Sequence, residues 1–227
     1  MPSPKWGFLT NHAVVLVYVV LHSDSTVRQI SSDVGITERA TLAILRDLDA
    51  DTIIERHKDG RRNTYSVNFD HLSAVRRGGT DSPLTPRLFV DVVIKMLYDM
   101  ADQTPASRKA HRQPRNVDSQ DLTPRIGSWG FFTNHLLILL ALGRDRTKTV
   151  RDLATAVGST ERAVVGIVNQ LEDEGIVART REGRRNTYAI DFDAFQNFRG
   201  WSFGSWEIPP KLIDVATKGI RSLSSGS

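Results

Sequence analysis

The chain contains one module twice. The string WGFLTNH at Trp6–His12 returns as WGFFTNH at Trp129–His135, and GRRNTY at Gly60–Tyr65 returns at Gly183–Tyr188, both 123 positions later. This period is far longer than the roughly 20 to 50 residues of a solenoid repeat. Each copy should therefore fold around its own core, and the pair should imitate a two-fold dimer.

The duplication also sets the domain boundaries. Residues 6–72 align with residues 129–195 without a gap, and 28 of these 67 pairs are identical. We expect a first domain over 1–100, a flexible, proline-containing linker over 101–128, and a second domain over 129–227. Two related faces suit a partner that is itself two-fold symmetric, and duplex DNA is the commonest such partner.

Charge and cysteine content narrow the function classes. The formal net charge of +4 and the pI of about 9.6 permit binding to a polyanion. The absence of cysteine excludes disulfides and thiolate zinc sites, and it suits the cytoplasm of a bacterium or archaeon. Apolar runs at 13–21 and 136–142 are too short to span a bilayer and are interpreted as buried helices. We expect a cytoplasmic, nucleoid-associated protein without a membrane partner.

Each copy should begin with three helices, each preceded by a capping Thr or Asn. In the first copy they run over residues 11–21, 27–34 and 38–51, with caps at Thr10 or Asn11, Thr26 and Thr37. Gly35 should end the second helix and leave a tight turn before the third. Side chains of the third helix expected to point inward are Thr41, Ile44, Leu45 and Leu48, and in the second copy Val164, Ile167, Val168 and Leu171. A helix-turn-helix of this kind is the unit that places its second helix in a DNA groove.

A β-hairpin with a basic tip should follow the third helix. In the first copy residues 53–57 and 63–67 are strand-like around a turn at 58–62. The second copy repeats this pattern with strands at 176–179 and 186–190 around a turn at 181–185. The arginine pair of each turn is retained although nearby surface residues differ between the copies.

Two further helices lie outside the repeated modules. Residues 86–100 form a proline-initiated amphipathic helix, and residues 210–223 form a weaker counterpart. An apolar stripe outside a complete module must pack on something, so we expect these helices to pack against each other and join the copies. Trp201 and Trp206 should cover the junction before the last helix.

Three helices followed by an arginine-tipped hairpin resemble the winged helix-turn-helix of the MarR and ArsR group of prokaryotic transcriptional regulators. The motifs at Trp6–His12, 35–40 and Gly60–Tyr65, with their second copies, are more narrowly similar to small MarR-like regulators of one such domain. The resemblance implies a mainly α fold with small β-hairpins, of the α+β class. It further implies two tandem winged domains in an intramolecular pseudo-dimer, each followed by a packing helix. The implied function is sequence-specific binding of double-stranded DNA, as a transcriptional regulator that represses by occlusion.

The resemblance assigns DNA contacts to the third helices and to the hairpins, called wings. The candidate residues of the third helices are Thr37, Arg39, Ala40, Leu42, Ala43 and Arg46, and in the second copy Thr160, Arg162, Ala163, Val165, Asn169 and Gln170. The candidate wing residues are Lys58, Arg61, Arg62, Asn63, Arg181, Arg184, Arg185 and Asn186. Arg46 corresponds to Asn169 and Asp47 to Gln170, so we expect two unequal half-sites. The third helices are small and apolar for base reading, which keeps open a protein-interaction or architectural module with weak or non-specific DNA binding.

The distinctive Trp and His residues have two interpretations. Trp6, His12, Trp129 and His135 either cover the core and cap the first helices or form an effector pocket between the copies for a small molecule of unknown identity. The histidines show no metal-ligand spacing, and no nucleophile–base set or phosphate loop is present. We therefore expect no cofactor, no metal and no enzymatic activity. The chain should act as a monomeric pseudo-dimer, and further self-association stays open.

Overall fold

The computed structural model describes residues 6–59, 62–72, 87–103, 130–183 and 185–224. Across these ranges the chain is mainly α-helical, with small two-stranded antiparallel sheets. The expected α+β class is therefore confirmed. Most of the predicted linker lies outside the described residues.

The first copy begins with α1 (Asn11–Leu21), α2 (Val27–Val34) and α3 (Glu38–Ala50). Each helix is preceded by a threonine whose hydroxyl accepts a hydrogen bond from the backbone amide three residues later, and these are Thr10, Thr26 and Thr37. Gly35 follows α2 with φ of +75°, the left-handed conformation that glycine adopts without strain. The predicted bounds of all three helices agree with the structure to within one residue.

The hairpin of the first copy pairs β1 (Ile54–Asp59) with β2 (Arg62–Val67). The ladder continues to Asp59 opposite Arg62, so the strands reach further toward the tip than the sequence predicted. The turn predicted over 58–62 is too long, because Lys58 and Asn63 pair within the ladder. A two-residue turn matches the twist of an antiparallel pair better than a longer one.

The first outer helix, α4, spans Arg87–Gln103. It continues three residues beyond its predicted end, and Ala101, which the sequence assigned to the linker, is buried in the core. Val93, Met96 and Leu97 of the predicted apolar stripe are also buried. The side chains of Phe89 and Val92, which belong to the same predicted stripe, lie outside the described part of the structure.

The second copy repeats the order of the first. Its elements are α5 (Asn134–Arg144), α6 (Val150–Val157), α7 (Glu161–Asp173), β3 (Val177–Glu182) and β4 (Arg185–Ile190). Glu182 pairs with Arg185, so this turn is also shorter than the predicted 181–185. Gly183, the first residue of the turn, has φ of +62°. The inward positions of the third helices are buried as expected except Ile167, which is half-buried.

Each hairpin is fixed to its own three-helix body by an equivalent backbone hydrogen bond. The amide of Tyr65 donates to the carbonyl of Ser23 at 2.8 Å, and the amide of Tyr188 donates to that of Arg146 at 2.9 Å. Both tyrosine side chains are fully buried. The base of each hairpin is therefore held in a defined orientation relative to α3 or α7.

The second copy carries additional elements that the sequence did not predict. A short helix, α8 (Phe192–Gln196), and one 3-10 turn lead into a minimal hairpin of β5 (Ser202–Phe203) and β6 (Trp206–Glu207). The last helix, α9 (Pro210–Ser224), packs on α4, α5 and α8, so the two outer helices contact each other. Trp201 is buried, and its indole N–H donates to the carbonyl of Phe195 at 2.8 Å.

The β5–β6 hairpin, here called the clasp (residues 202–207), reaches across to the first copy. Its Ser205 amide donates to the carbonyl of Asp33 at 3.0 Å. A Cβ added at Gly35 would lie 2.9 Å from Cα of Gly204, so the two backbones meet without room for a side chain. In the second copy, a Cβ at the equivalent Gly158 would meet no atom within 4 Å. The clasp therefore supports the helix-turn-helix of the first copy, and the described residues supply no such support at Gly158.

A partly buried hydrogen bond stabilises the same region. The hydroxyl of Tyr18 donates to Asp33 Oδ2 at 2.6 Å, and the Tyr18 ring meets that of Trp206 edge-on at 5.3 Å. Burial of Tyr18, together with its bond to Asp33, raises the pKa of this phenol to about 12. Tyr18 and Asp33 thus connect α1 and α2 of the first copy to the clasp of the second.

The clasp can be tested with two glycines of similar conformation. Gly35→Ala and Gly158→Ala both place a side chain at positive φ, which costs roughly 1–2 kcal/mol. Gly35→Ala additionally drives Cβ into the Gly204 backbone, so it should lower the free energy of unfolding by about 1–3 kcal/mol more than Gly158→Ala. Urea unfolding of both variants measures the difference. Equal destabilisation by the two substitutions would contradict the clasp.

Candidate functional site

The two copies meet through a short antiparallel bridge between equivalent residues. Leu9 pairs with Phe132, which stands 123 positions later, the offset of the repeat. The amide of Thr10 donates to the carbonyl of Phe131 at 3.1 Å, and the amide of Thr133 donates to the carbonyl of Phe8 at 3.0 Å. Under the repeat offset these two bonds exchange with each other. An antiparallel pairing of equivalent residues has a local two-fold axis between them.

Threonine side chains extend this reciprocity. Thr10 Oγ1 donates to the carbonyl of Gly130 at 2.5 Å, and Thr133 Oγ1 donates to the carbonyl of Gly7 at 2.7 Å. Thr10 also caps α1, whereas Thr133 makes no side-chain cap on α5. We call the four hydrogen bonds that Thr10 and Thr133 donate across the axis the joint. They form two pairs that are related by the local two-fold axis.

Aromatic packing fills the space beside the joint. Phe8 is fully buried, and its ring lies 4.8–5.1 Å from those of Phe195, Phe198 and Trp201 of the second copy. A neighbouring apolar void lined by residues of both copies, among them Leu9 and Phe132, is only about 10 Å³. Such a void holds at most about one water molecule. The joint is therefore a closed, packed interface.

The effector-pocket hypothesis must be revised for Trp6 and His135. Their rings stack on each other at 4.1 Å between centroids with an interplanar angle of 6°, and Trp6 also stacks on Phe198 at 4.4 Å. The two residues are thus brought together across the copies, but their contact leaves no gap for a ligand between the rings. Trp129 lies outside the described residues.

An equivalent hydrogen bond ties the first helix of each copy to the third. His12 Nε2 lies 3.1 Å from Asp47 Oδ2, and His135 Nε2 donates to Gln170 Oε1 at 2.8 Å. Gln170 was expected to read a base. The amide oxygen has a second lone pair and the amide nitrogen makes no contact in this bond, so exposed Gln170 keeps groups that a base could use. Gln170 thus joins α7 to α5, and its contact with a base stays a prediction.

The remaining third-helix candidates form an exposed face on each copy. Thr37 and Thr160 use their hydroxyls as helix caps, accepting from Ala40 and Ala163. Apart from the half-buried Ala40, the other candidates are exposed, namely Arg39, Leu42, Ala43 and Arg46, and Arg162, Ala163, Val165 and Asn169. Leu42 and Val165 stand at equivalent positions with 37% and 40% of their surface exposed, and they are two of the three exposed large hydrophobic residues in the described part of the chain.

The third helices carry more negative than positive charge, so they do not attract phosphate groups without help from other parts of the chain. The α3 helix carries two arginines and three carboxylates, and α7 carries one arginine and three carboxylates. One of the carboxylates, Glu172, is paired with Arg179 at 2.8 Å. Attraction to a polyanion would therefore have to come from other cations, and the hairpins supply them.

The described wing residues point to a basic hairpin surface. Lys58, Arg181 and Arg185 are exposed, and Asn63 and Asn186 are half-buried. Arg181 Nε donates to the carbonyl of Gly183 at 3.3 Å, which turns this side chain toward the tip. The Arg62 side chain, Arg61 and Arg184 lie outside the described part of the chain.

Two further exposed groups lie on β1, Arg56 and His57, and neither was among the predicted contact residues. Arg56 is retained in the second copy as Arg179, and this identity was the available signal. The two arginines nevertheless differ in role, because Arg179 forms the ion pair with Glu172. His57 Nε2 lies 2.9 Å from Ser66 Oγ on the opposite strand.

Two other features, a metal site and a membrane-spanning helix, are not found among the described residues. Within the described ranges, no group of three histidine or carboxylate side chains is placed to hold a metal ion. No described helix has the length and apolar character needed to cross a membrane.

Comparison with known proteins gives one partial similarity. No protein-family model and no solved structure matches the chain. Over 50 residues it is 40% identical to riboflavin kinase from Thermococcus kodakarensis. The match covers 22% of this chain and 24% of that protein. The shared segment is thus about a quarter of the kinase and does not carry its activity to this chain.

The half-buried His135, which stacks on Trp6 of the other copy, makes stability depend on pH. Burial lowers the pKa of His135 below its usual value, and the bond to Gln170 opposes this shift only in part. The unfolded chain binds a proton at His135 more readily than the folded chain does. The contribution of His135 to the free energy of unfolding is therefore fully present above about pH 6.5 and decreases as pH falls below that value. The urea midpoint should therefore be lower at pH 5.5 than at pH 7.5.

His135→Phe keeps a ring against Trp6 but cannot be protonated. We expect this variant to show a smaller decrease in urea midpoint between pH 7.5 and 5.5 than the parent chain. Both proteins should show no change between pH 7.5 and 8.5, which serves as the internal control. An identical decrease in variant and parent would show that His135 is not responsible.

Proposed function

We propose that this chain is a sequence-specific regulator of transcription that binds double-stranded DNA as a single-chain pseudo-dimer. Each copy acts as a winged helix-turn-helix, with α3 or α7 in the major groove and the hairpin on the flanking backbone. Regulation is repression by occlusion of the bound site. The chain carries no catalytic role in this proposal.

The observation that carries the proposal is the reciprocal joint. A local two-fold axis between Leu9 and Phe132 relates two units of the same fold, each with an exposed third helix and an exposed hairpin. Duplex DNA presents its own two-fold axes, so a protein with this symmetry can bind two half-sites at once. The centres of the half-sites are then about 10–11 base pairs, or a multiple of that, apart.

The charges favour different roles for the hairpins and the third helices. The hairpins offer exposed cations such as Lys58, Arg181 and Arg185, which suit phosphates. The third helices offer Arg39 and Arg162 near their N-terminal ends, with aliphatic Leu42 and Val165 one turn later. An aliphatic group at such a position contacts the methyl group of thymine. Affinity therefore comes mainly from the wings and specificity from the helices.

A second candidate function is a protein-interaction or architectural module with weak or non-specific DNA binding. The observations that favour it are the exposed apolar Leu42 and Val165 and the excess of carboxylates on α3 and α7. Such a module binds random duplexes with similar affinity and shows no preferred half-site spacing. Binding-site selection from random duplexes therefore separates the two candidates.

The wing assignment predicts a change in salt dependence. Changing Arg61 and Arg184 together to Ala removes two phosphate contacts, so the slope of log affinity against log salt should flatten by roughly 2 units. Affinity should fall for all duplexes alike, because phosphate contacts carry no sequence information. Fluorescence anisotropy over a salt series on a selected duplex measures both effects.

The matched control removes the same charge elsewhere. Lys95 on α4 and Lys218 on α9 are exposed and lie on helices that the proposal keeps away from DNA. Their double Ala variant should keep the parental slope. Equal slopes for the parent and the Arg61/Arg184 variant would refute the wing assignment, and failure to select any duplex at low salt would refute the function.

A further inference from the structure

The third helices of the two copies are alike in most of what they expose. The identical or similar pairs that are at least partly exposed are Glu38/Glu161, Arg39/Arg162, Ala40/Ala163, Leu42/Val165 and Ala43/Gly166. Over this stretch and the next turn, hydrogen-bonding chemistry changes at two exposed positions, where Arg46 becomes Asn169 and Asp47 becomes Gln170. Any difference in base preference between the copies must arise mainly from these two pairs.

The side chains of the second pair, Asp47 and Gln170, each form a hydrogen bond with a histidine of the first helix. Asp47 Oδ2 lies 3.1 Å from His12 Nε2, and Gln170 Oε1 accepts from His135 Nε2 at 2.8 Å. His135 is itself held by the stacked ring of Trp6 from the other copy. Both helices thus use this position to attach to the first helix, whichever side chain is present. The histidines hold both side chains of this pair toward the first helices, so the pair is less available for base contacts than Arg46 and Asn169.

The first pair remains available. Arg46 and Asn169 are exposed, and neither side chain has a hydrogen bond or ion pair to another described residue. Each follows Arg39 or Arg162 by seven positions and Leu42 or Val165 by four, so the three side chains share one helix face. Arg46 and Asn169 therefore lie on the face that the proposed function directs into the major groove.

The chemistry of this pair selects different bases. A guanidinium donates two parallel hydrogen bonds to O6 and N7 of guanine. A carboxamide donates to N7 and accepts from the N6 amino group of adenine. We infer that the target is a near-palindrome whose half-sites differ at one equivalent position, with guanine opposite Arg46 and adenine opposite Asn169. This inference rests on the proposed function and gives the bound chain one fixed orientation on its site.

The test begins with the duplex obtained by binding-site selection. Three versions of it differ only at the equivalent position of the half-sites and carry guanine/guanine, guanine/adenine or adenine/adenine. The parent chain should bind the mixed version best. Arg46→Asn should bind adenine/adenine best, and Asn169→Arg should bind guanine/guanine best, each by about 5- to 150-fold over the mixed duplex, in which one contact is lost.

Two controls separate base reading from charge and folding. Arg28→Asn removes the same charge from the exposed face of α2 and should keep the preference of the parent. Arg46→Lys keeps the charge but lacks the planar fork, so it should lose preference for guanine and retain most affinity. Thermal melting confirms that each variant is folded.

The exchange variant Arg46→Asn/Asn169→Arg has the composition and net charge of the parent. It should bind the mixed duplex as well as the parent does, but in the reverse orientation. Because the chain contains no cysteine, His57→Cys provides a single attachment point for a DNA-cleaving reagent on the first copy. Cleavage should occur beside the guanine half-site for the parent and beside the adenine half-site for the exchange variant.

The outcomes distinguish the inference from the function on which it rests. Specific binding whose preference and orientation do not respond to Arg46 and Asn169 would overturn the inference and leave the proposed function intact. Failure of the parent to select any duplex would overturn both.

Discussion

The antiparallel bridge between Leu9 and Phe132 is the contact on which the rest of the arrangement depends. Its two backbone bonds and two threonine bonds exchange with each other under the repeat offset, so the contact between the copies is locally two-fold symmetric. The burial of Phe8 against aromatic residues of the second copy, together with the contact of α4 with α9, prevents the bridge from acting as a hinge. In the proposed function this axis relates the two third helices and the two hairpins.

The symmetry is broken in specific places. The clasp contacts the helix-turn-helix of the first copy through Gly204, Gly35 and Asp33. The third helices differ at Arg46 and Asn169, while His12 and His135 hold the neighbouring position in an equivalent way. Retained symmetry at the joint and altered chemistry on the exposed face are what a duplicated reader of an imperfect palindrome requires. Relaxed constraint on one copy would instead be expected to alter the joint as well as the surface.

Much of the local structure could be predicted because it is determined locally. The threonine caps and Gly35 each act within about four residues, and the helix bounds followed from them to within one residue. The clasp could not be predicted, because strands of two residues carry no periodic pattern and their partners, Asp33 and Gly35, lie about 170 positions away. The site was predicted only in part for the same reason. Exposure of the third-helix face followed from its period, but the engagement of Gln170 by His135 depends on the packing of α5 against α7, which the sequence does not show.

The central claim is that the two copies are one fixed pair rather than two domains on a tether. Insertion of five base pairs between the selected half-sites tests it most directly, because this rotates one half-site by about half a turn of the duplex. A fixed pair cannot follow that rotation, so affinity should fall to the level of unrelated DNA. Undiminished affinity for the extended duplex would contradict the account, since only two independently moving domains could still reach both half-sites.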